Sequence, residues 1–122
     1  MNGFEALRTA AERYCNALHD SDGEILEQVF MDEAHIRGVD AEGTLLDWDR
    51  DAFVERARRR QAAEGAPDYR IDLIRVRGTM GIVMLEVVVG GRRFADQLDF
   101  LETSDGWRIV HKTFALLEGP SL

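Results

Sequence analysis

The chain has 122 residues with a formal net charge of −8, and 45% of its residues are hydrophobic and 31% charged. At about 150 residues per domain this length predicts a single domain spanning residues 1–122, and the acidic balance speaks against a nucleic-acid or anionic-membrane partner. The lone cysteine, Cys15, excludes an internal disulfide, a CxxC redox pair and a multi-thiolate metal site.

Phe4, Leu7, Ala11, Tyr14 and Leu18 recur at helical spacing and predict a first helix over residues 3–19. This stretch carries Glu5 and Glu12 and has no apolar run ahead of a small-residue cleavage site, so it does not read as a signal peptide, and the cytoplasm is the expected compartment. No apolar run is long enough to cross a bilayer. Ser21 followed by Glu24 gives a capping-box pattern ahead of Ile25, Leu26, Val29 and Phe30, which predicts a second helix over residues 22–31. Residues 34–40 alternate as a strand, and Leu45 with Leu46 forms a candidate second short strand. Asp47 or Asp49 caps a third helix in which Phe53, Val54, Ala57 and Gln61 share one side. Arg56, Arg58, Arg59 and Arg60 gather toward its C-terminal end, where cations complement the helix dipole, and they read as a solvated face.

From Tyr69 the hydrophobic period changes to two, and residues 69–77, 81–89, 92–103 and 107–117 read as four strands of an antiparallel meander. Gly90–Gly91 and Asp105–Gly106 are hairpin signals, since such pairs accept the positive φ of tight turns. The predicted class is α+β, with three N-terminal helices packed on one face of a curved, mostly antiparallel sheet.

With Gly90 and Gly91 as a two-residue turn, Val87 pairs with Phe94, Leu85 with Asp96 and Val83 with Leu98, so Asp96 is the one carboxylate on an otherwise apolar face. A buried acid there needs a cation, hydrogen-bond donors or water. Its partner depends on the last hairpin. A two-residue loop of Asp105 and Gly106 sets Lys112 opposite Asp99 and turns His111 inward as a candidate general base. A three-residue loop of Ser104, Asp105 and Gly106 with a bulge sets Lys112 opposite Leu98 and turns Lys112, with Val110 and Phe114, inward near Asp96. We favour the second. The opposite face carries Ile82, Met84, Val88 and Ala95 and predicts a homodimer.

The order helix, helix, strand, helix and then a four-strand meander, with Glu12-Arg13-Tyr14 leading to Ala17-Leu18, Phe30 before Asp32-Glu33-Ala34, and Asp105 to Val110 reading DGWRIV, resembles the nuclear-transport-factor-like cone fold over nearly the whole chain. The ending from Phe94 to Phe114, with Asp96, Leu98, Trp107, Ile109 and Lys112, looks most like the branch named for lumazine binding. The superfamily also holds polyketide-cyclase-like proteins, dehydratases and ketosteroid isomerase. The last uses a carboxylate base with a tyrosine and a protonated acid as oxyanion donors. Tyr14 matches the tyrosine. The base position falls on Gly38, with Asp40 two residues later, and the donor acid falls near Leu98 or Asp99, with Asp96 close by. Two of the three positions are displaced, so the isomerase activity is not carried over.

These residues lead to a small-molecule-binding protein whose apolar cavity takes a small apolar organic ligand. Any reaction would be cofactor-free proton transfer beside a carbonyl: isomerisation, dehydration or cyclisation. Asp96 or Asp40 is the expected base and Tyr14 the expected donor, with Lys112 tuning the acid. Trp48, Phe30, Phe53, Phe94 and Leu98 are the expected cavity wall. A non-catalytic binding or dimerisation module is the alternative. His19, His35 and His111 lack metal-ligand spacing, and no glycine run precedes a helix as a phosphate loop, so neither a metal nor a cofactor is expected.

Overall fold

The chain was analysed as a computed structural model that describes residues 2–122; Met1 lies outside them. Helix α1 (Gly3–Asp20) opens on Asn2, whose side chain accepts from the Glu5 backbone N–H at 2.8 Å, and it buries Leu7, Ala11, Tyr14, Cys15, Ala17 and Leu18. Ser21 closes the helix in the left-handed region at φ 54°. It therefore does not cap the next helix, as its capping-box pattern with Glu24 suggested: Asp22 caps α2 (Gly23–Val29) by accepting from Ile25 N–H at 3.1 Å.

The second helix is shorter than expected, because Phe30 turns extended and begins β1 (Phe30–Val39). The carbonyls left at the end of α2 are met from the far end of the chain, where Arg108 donates to the oxygens of Glu27 at 3.3 Å, Gln28 at 3.1 Å and Phe30 at 2.5 Å. The short strand is β2 (Leu45–Asp49), and it leads directly into α3 (Arg50–Arg59), capped by Asp49 through Ala52 N–H at 2.8 Å. Gln61 lies beyond the end of α3 and is exposed, so it does not share the inward side with Phe53, Val54 and Ala57.

Four strands follow: β3 (Tyr69–Arg77), β4 (Met80–Val89), β5 (Arg92–Thr103) and β6 (Gly106–Glu118). With β1 and β2 they form one curved six-stranded sheet in the order β2-β1-β6-β5-β4-β3, antiparallel throughout except between β1 and β6. The turn glycines Gly90 and Gly91 sit at φ 59° and 77°, and the β4–β5 register follows, with Leu85 opposite Asp96 and Val83 opposite Leu98. The three helices cover one face of the sheet, where Leu7, Tyr14, Val54 and Ala57 meet Val83, Leu85, Leu98 and Phe100.

The last hairpin differs from both loops considered above. Thr103 pairs with Gly106 around Ser104 and Asp105, and the ladder then slips by one residue between Phe100, opposite Ile109, and Asp99, opposite His111. Val110 is the extra residue of a β-bulge. Ile109 before the bulge and Lys112 after it both face the helices, whereas Val110 does not turn inward and is half-buried. Leu98 stands opposite Lys112, the pairing that the favoured loop with its bulge predicted, although the loop holds two residues and the bulge lies farther along the strand at Val110.

Candidate functional site

Asp96 and Lys112 are the two buried charged residues among those described, with side-chain exposures of 1% and 7%. Their adjacency follows from the two registers just given: Leu85 sets Asp96 inward on β5, and the bulge sets Lys112 inward on β6. Lys112 Nζ lies 3.4 Å from Asp96 Oδ2. The Tyr14 hydroxyl, brought in by the buried stripe of α1, donates to the same oxygen at 2.5 Å. The other oxygen, Oδ1, is buried without a hydrogen-bond partner. Around the ammonium stand the rings of Phe53, Tyr14 and Phe114, with centroids 4.5, 5.3 and 5.4 Å away.

Burial sets the proton affinities here. It lowers the pKa of Lys112 below the ordinary lysine value, with Asp96 pulling in the opposite direction. It raises Tyr14 well above the ordinary tyrosine value, and the negative charge of Asp96 adds to that rise. The Cys15 thiol, one residue on from Tyr14, is pushed up to about 12 by burial and by Asp96. A thiol held in its protonated form is a poor nucleophile.

Lys112 also opens onto a pocket between α3 and the sheet, walled by Trp48, Phe53, Phe94, Phe114, Val87 and Leu18. Trp48 and Phe114 stack at 5.7 Å with planes 3° apart, and Phe94 meets Phe114 edge-on at 5.9 Å. The water-accessible space is about 40 Å3, inside a concavity of about 440 Å3 that includes the open mouth. This inner space is small beside ligand cavities of about 300–1,000 Å3. Val89, Arg56, Arg60 and Leu122 complete the lining.

The structure thus brings together Trp48, Phe53, Phe94 and Lys112 at the pocket, with Asp96 and Tyr14 directly behind Lys112. The remaining expected residues lie elsewhere. Asp40 sits past the end of β1, where its Oδ1 accepts from Glu42 and Thr44 N–H, each at 2.9 Å, and so organises the β1–β2 turn. It lines an outer groove with Arg37, Leu45 and Thr113 rather than this pocket. His111 faces away from the helices and approaches Asp99 at 3.6 Å, because the bulge turns Lys112 in and its neighbour out. Phe30 and Leu98 are fully buried in the core and do not line the pocket; Phe30 packs edge-on against Tyr14 and Phe53 behind the wall.

Gly38, where the resemblance puts an isomerase's base, has no room for a side chain. A Cβ there would lie 2.7 Å from the Phe114 ring and 2.8 Å from the Phe114 backbone oxygen. Among the described residues no three His, Cys, Asp or Glu side chains gather as a metal-holding group.

Among the pocket residues not expected from the sequence are two charged ones, Arg56 and Arg60. Arg56 carried a signal, since it follows Phe53 by three residues on the same helix, whereas Arg60 lies past the end of α3 in extended backbone and carried none. The local density of arginine hid the signal of Arg56. Arg58 and Arg59 do lie on the surface, paired with Glu27 at 2.9 Å and Glu55 at 3.4 Å.

The comparisons with known proteins agree with this architecture. A crystal structure of an NTF-2 like protein of unknown function from Silicibacter pomeroyi DSS-3 is 33% identical, covers 93% of this chain and 94% of its own, and superposes with a TM-score of 0.86. An NTF2-like protein of unknown function from Shewanella baltica OS155 is 20% identical with a TM-score of 0.87, covering 95% of this chain and 94% of its own. A ketosteroid isomerase-like protein from Erwinia carotovora atroseptica SCRI1043 shares the fold at 13% identity and a TM-score of 0.71, covering 98% of this chain and 100% of its own. No curated protein matches the sequence closely enough to lend it an activity. The family model described as "Putative lumazine-binding" matches residues 2–115, and the chain belongs to that family, within the nuclear-transport-factor-2-like superfamily.

Proposed function

We propose that this protein binds a small, mainly apolar organic carbonyl compound in the Trp48–Phe53–Phe94 pocket and transfers a proton on it through Lys112, without a cofactor. The observation that carries this reading is the buried chain from Tyr14 through Asp96 to Lys112, which ends at an aromatic-walled pocket. Only Lys112 of the three lines that pocket, so its amine is the group that meets the ligand. Burial favours the neutral amine, which can accept a proton, while Asp96 stabilises the ammonium that results. Asp96 and Tyr14 act as positioning groups. The family's name is consistent with an aromatic heterocycle as ligand. We further propose a homodimer formed through the outer face of the sheet and a cytoplasmic protein; no helix is long and apolar enough to cross a membrane.

A second reading, a binding module without turnover, draws support from the small inner space of about 40 Å3 and from the burial of Asp96 away from the ligand. The two are separated by titrating Trp48 fluorescence, in a Trp107→Phe background, with acetophenone and lumazine, and by following deuterium uptake at the acetophenone methyl in D2O by NMR. Proton transfer predicts saturable quenching together with exchange that Lys112→Met abolishes. Saturable quenching without exchange leaves the binding module, and absence of saturable quenching by either compound refutes both.

A further inference from the structure

Arg56 on α3 and Arg60, the residue that follows the helix, stand at the mouth of the pocket. Neither lies within salt-bridge distance of a carboxylate among the described residues, although their neighbours Arg58 and Arg59 are both paired. The Nε of Arg60 is buried and has no hydrogen-bond partner. An unsatisfied buried donor is uncommon in folded proteins and calls for an acceptor. Arg56 lays its guanidinium over the Trp48 ring at 4.6 Å, next to the stacked Phe114. The nearest charged side chains have the same sign: Arg92 is near enough to disfavour the charged form of Arg60, after burial and Arg56, and the donors of Arg92 are engaged by the carbonyls of Pro120 at 2.7 Å and Ser121 at 2.9 Å. Asp96 is engaged by Tyr14 and Lys112 and makes no salt bridge to either arginine. A chain with a net charge of −8 therefore leaves two arginines without a carboxylate partner among the described residues at the mouth of this aromatic pocket.

We propose that the ligand is an organic carboxylate, its flat apolar body against Trp48, Phe94 and Phe114 and its carboxylate held by Arg60 and Arg56. A guanidinium presents parallel donors that match the two oxygens of a carboxylate, and a partly desolvated pair is screened less than one in open water. The inference rests on the reading of this pocket as a ligand site and adds the charge class of the ligand.

Benzoate and its neutral counterpart benzamide, titrated against Trp48 fluorescence in the Trp107→Phe background, test it. We expect benzoate to bind about tenfold more tightly, the equivalent of one charge-assisted hydrogen bond, with the preference shrinking as salt is raised. Arg60→Gln should erase the preference, Arg56→Gln should reduce it, and Arg59→Gln should leave it intact. Arg56 is exposed, so its variant keeps the test decisive if Arg60→Gln folds poorly. Equal affinities for the two probes overturn the charge assignment and leave the ligand site standing; failure of both to bind overturns both. A preference that survives both Arg56→Gln and Arg60→Gln overturns the assignment to this pair.

Discussion

Lys112 is held in place by one carboxylate oxygen and three aromatic faces, so removing the carboxylate leaves an ammonium buried with no anion beside it. Asp96→Asn should therefore destabilise the fold by about 3 kcal/mol in chemical denaturation, and adding Lys112→Met to it should restore much of the loss, because taking out both charges removes the uncompensated one. A double variant no more stable than the single would show that the ammonium is not the cause. Cys15 gives a prediction in pH. Its thiol titrates near 9 when exposed and near 12 when folded, so between those values the native state keeps a proton that the unfolded chain has released. Stability is then lost with rising pH, by up to about 1.4 kcal/mol per pH unit from this group. Tyr14, raised for the same reason, adds loss of the same sign at higher pH. Urea denaturation at several pH values above 9 should show wild type losing stability relative to Cys15→Ala.

Gly38 lets β1 and β6 approach so closely that the Phe114 ring lies over the glycine and stacks on Trp48. Gly38→Ala meets both that ring and a backbone oxygen that cannot move alone, and should cost about 1–3 kcal/mol. The same variant should shift the Trp48 emission measured without Trp107, as the stack is displaced. Much at this scale was legible from local pattern. The glycines of the β4–β5 turn fixed which residues face each other, and hence that Asp96 points inward. What was not legible depended on competing uses of the same residue, local in two cases and far along the chain in a third. Ser21 carries a capping sequence, yet it is consumed in reversing the backbone after α1. The second helix stops before Phe30 because that residue is needed opposite Ile109, far along in β6, and Arg108 closes the helix end from the same strand. Asp40 has the right side chain for a base, but the tight turn after β1 takes up its oxygen. For Ser21 and Asp40 a competing local use of the same residue prevailed, and for the end of α2 a demand from β6 did.

At the scale of the molecule, the helices cover one face of the sheet and leave the other bare, with Met84 41% exposed beside half-buried Ile82, Val88 and Ala95. A second copy on that face would bury them, and Met84→Lys should shift the sedimentation equilibrium toward monomer. Wild type sedimenting as a monomer at high micromolar concentration would refute the dimer. The bulge at Val110 has a consequence for how the chain tolerates change in length. Losing a residue from a strand ordinarily turns everything after it to the opposite face. Val110 is the surplus residue toward β5, so its deletion would leave Ile109, Lys112 and Phe114 facing the helices and Asp99 opposite His111. Loss of Thr113, three positions on, would send Phe114 to the outside and strip the pocket of a wall. The pairing with β5 thus tolerates a change of length at one position and not a few residues away, while on the β1 side the ladder is already irregular there, between Phe30 opposite Ile109 and His35 opposite His111.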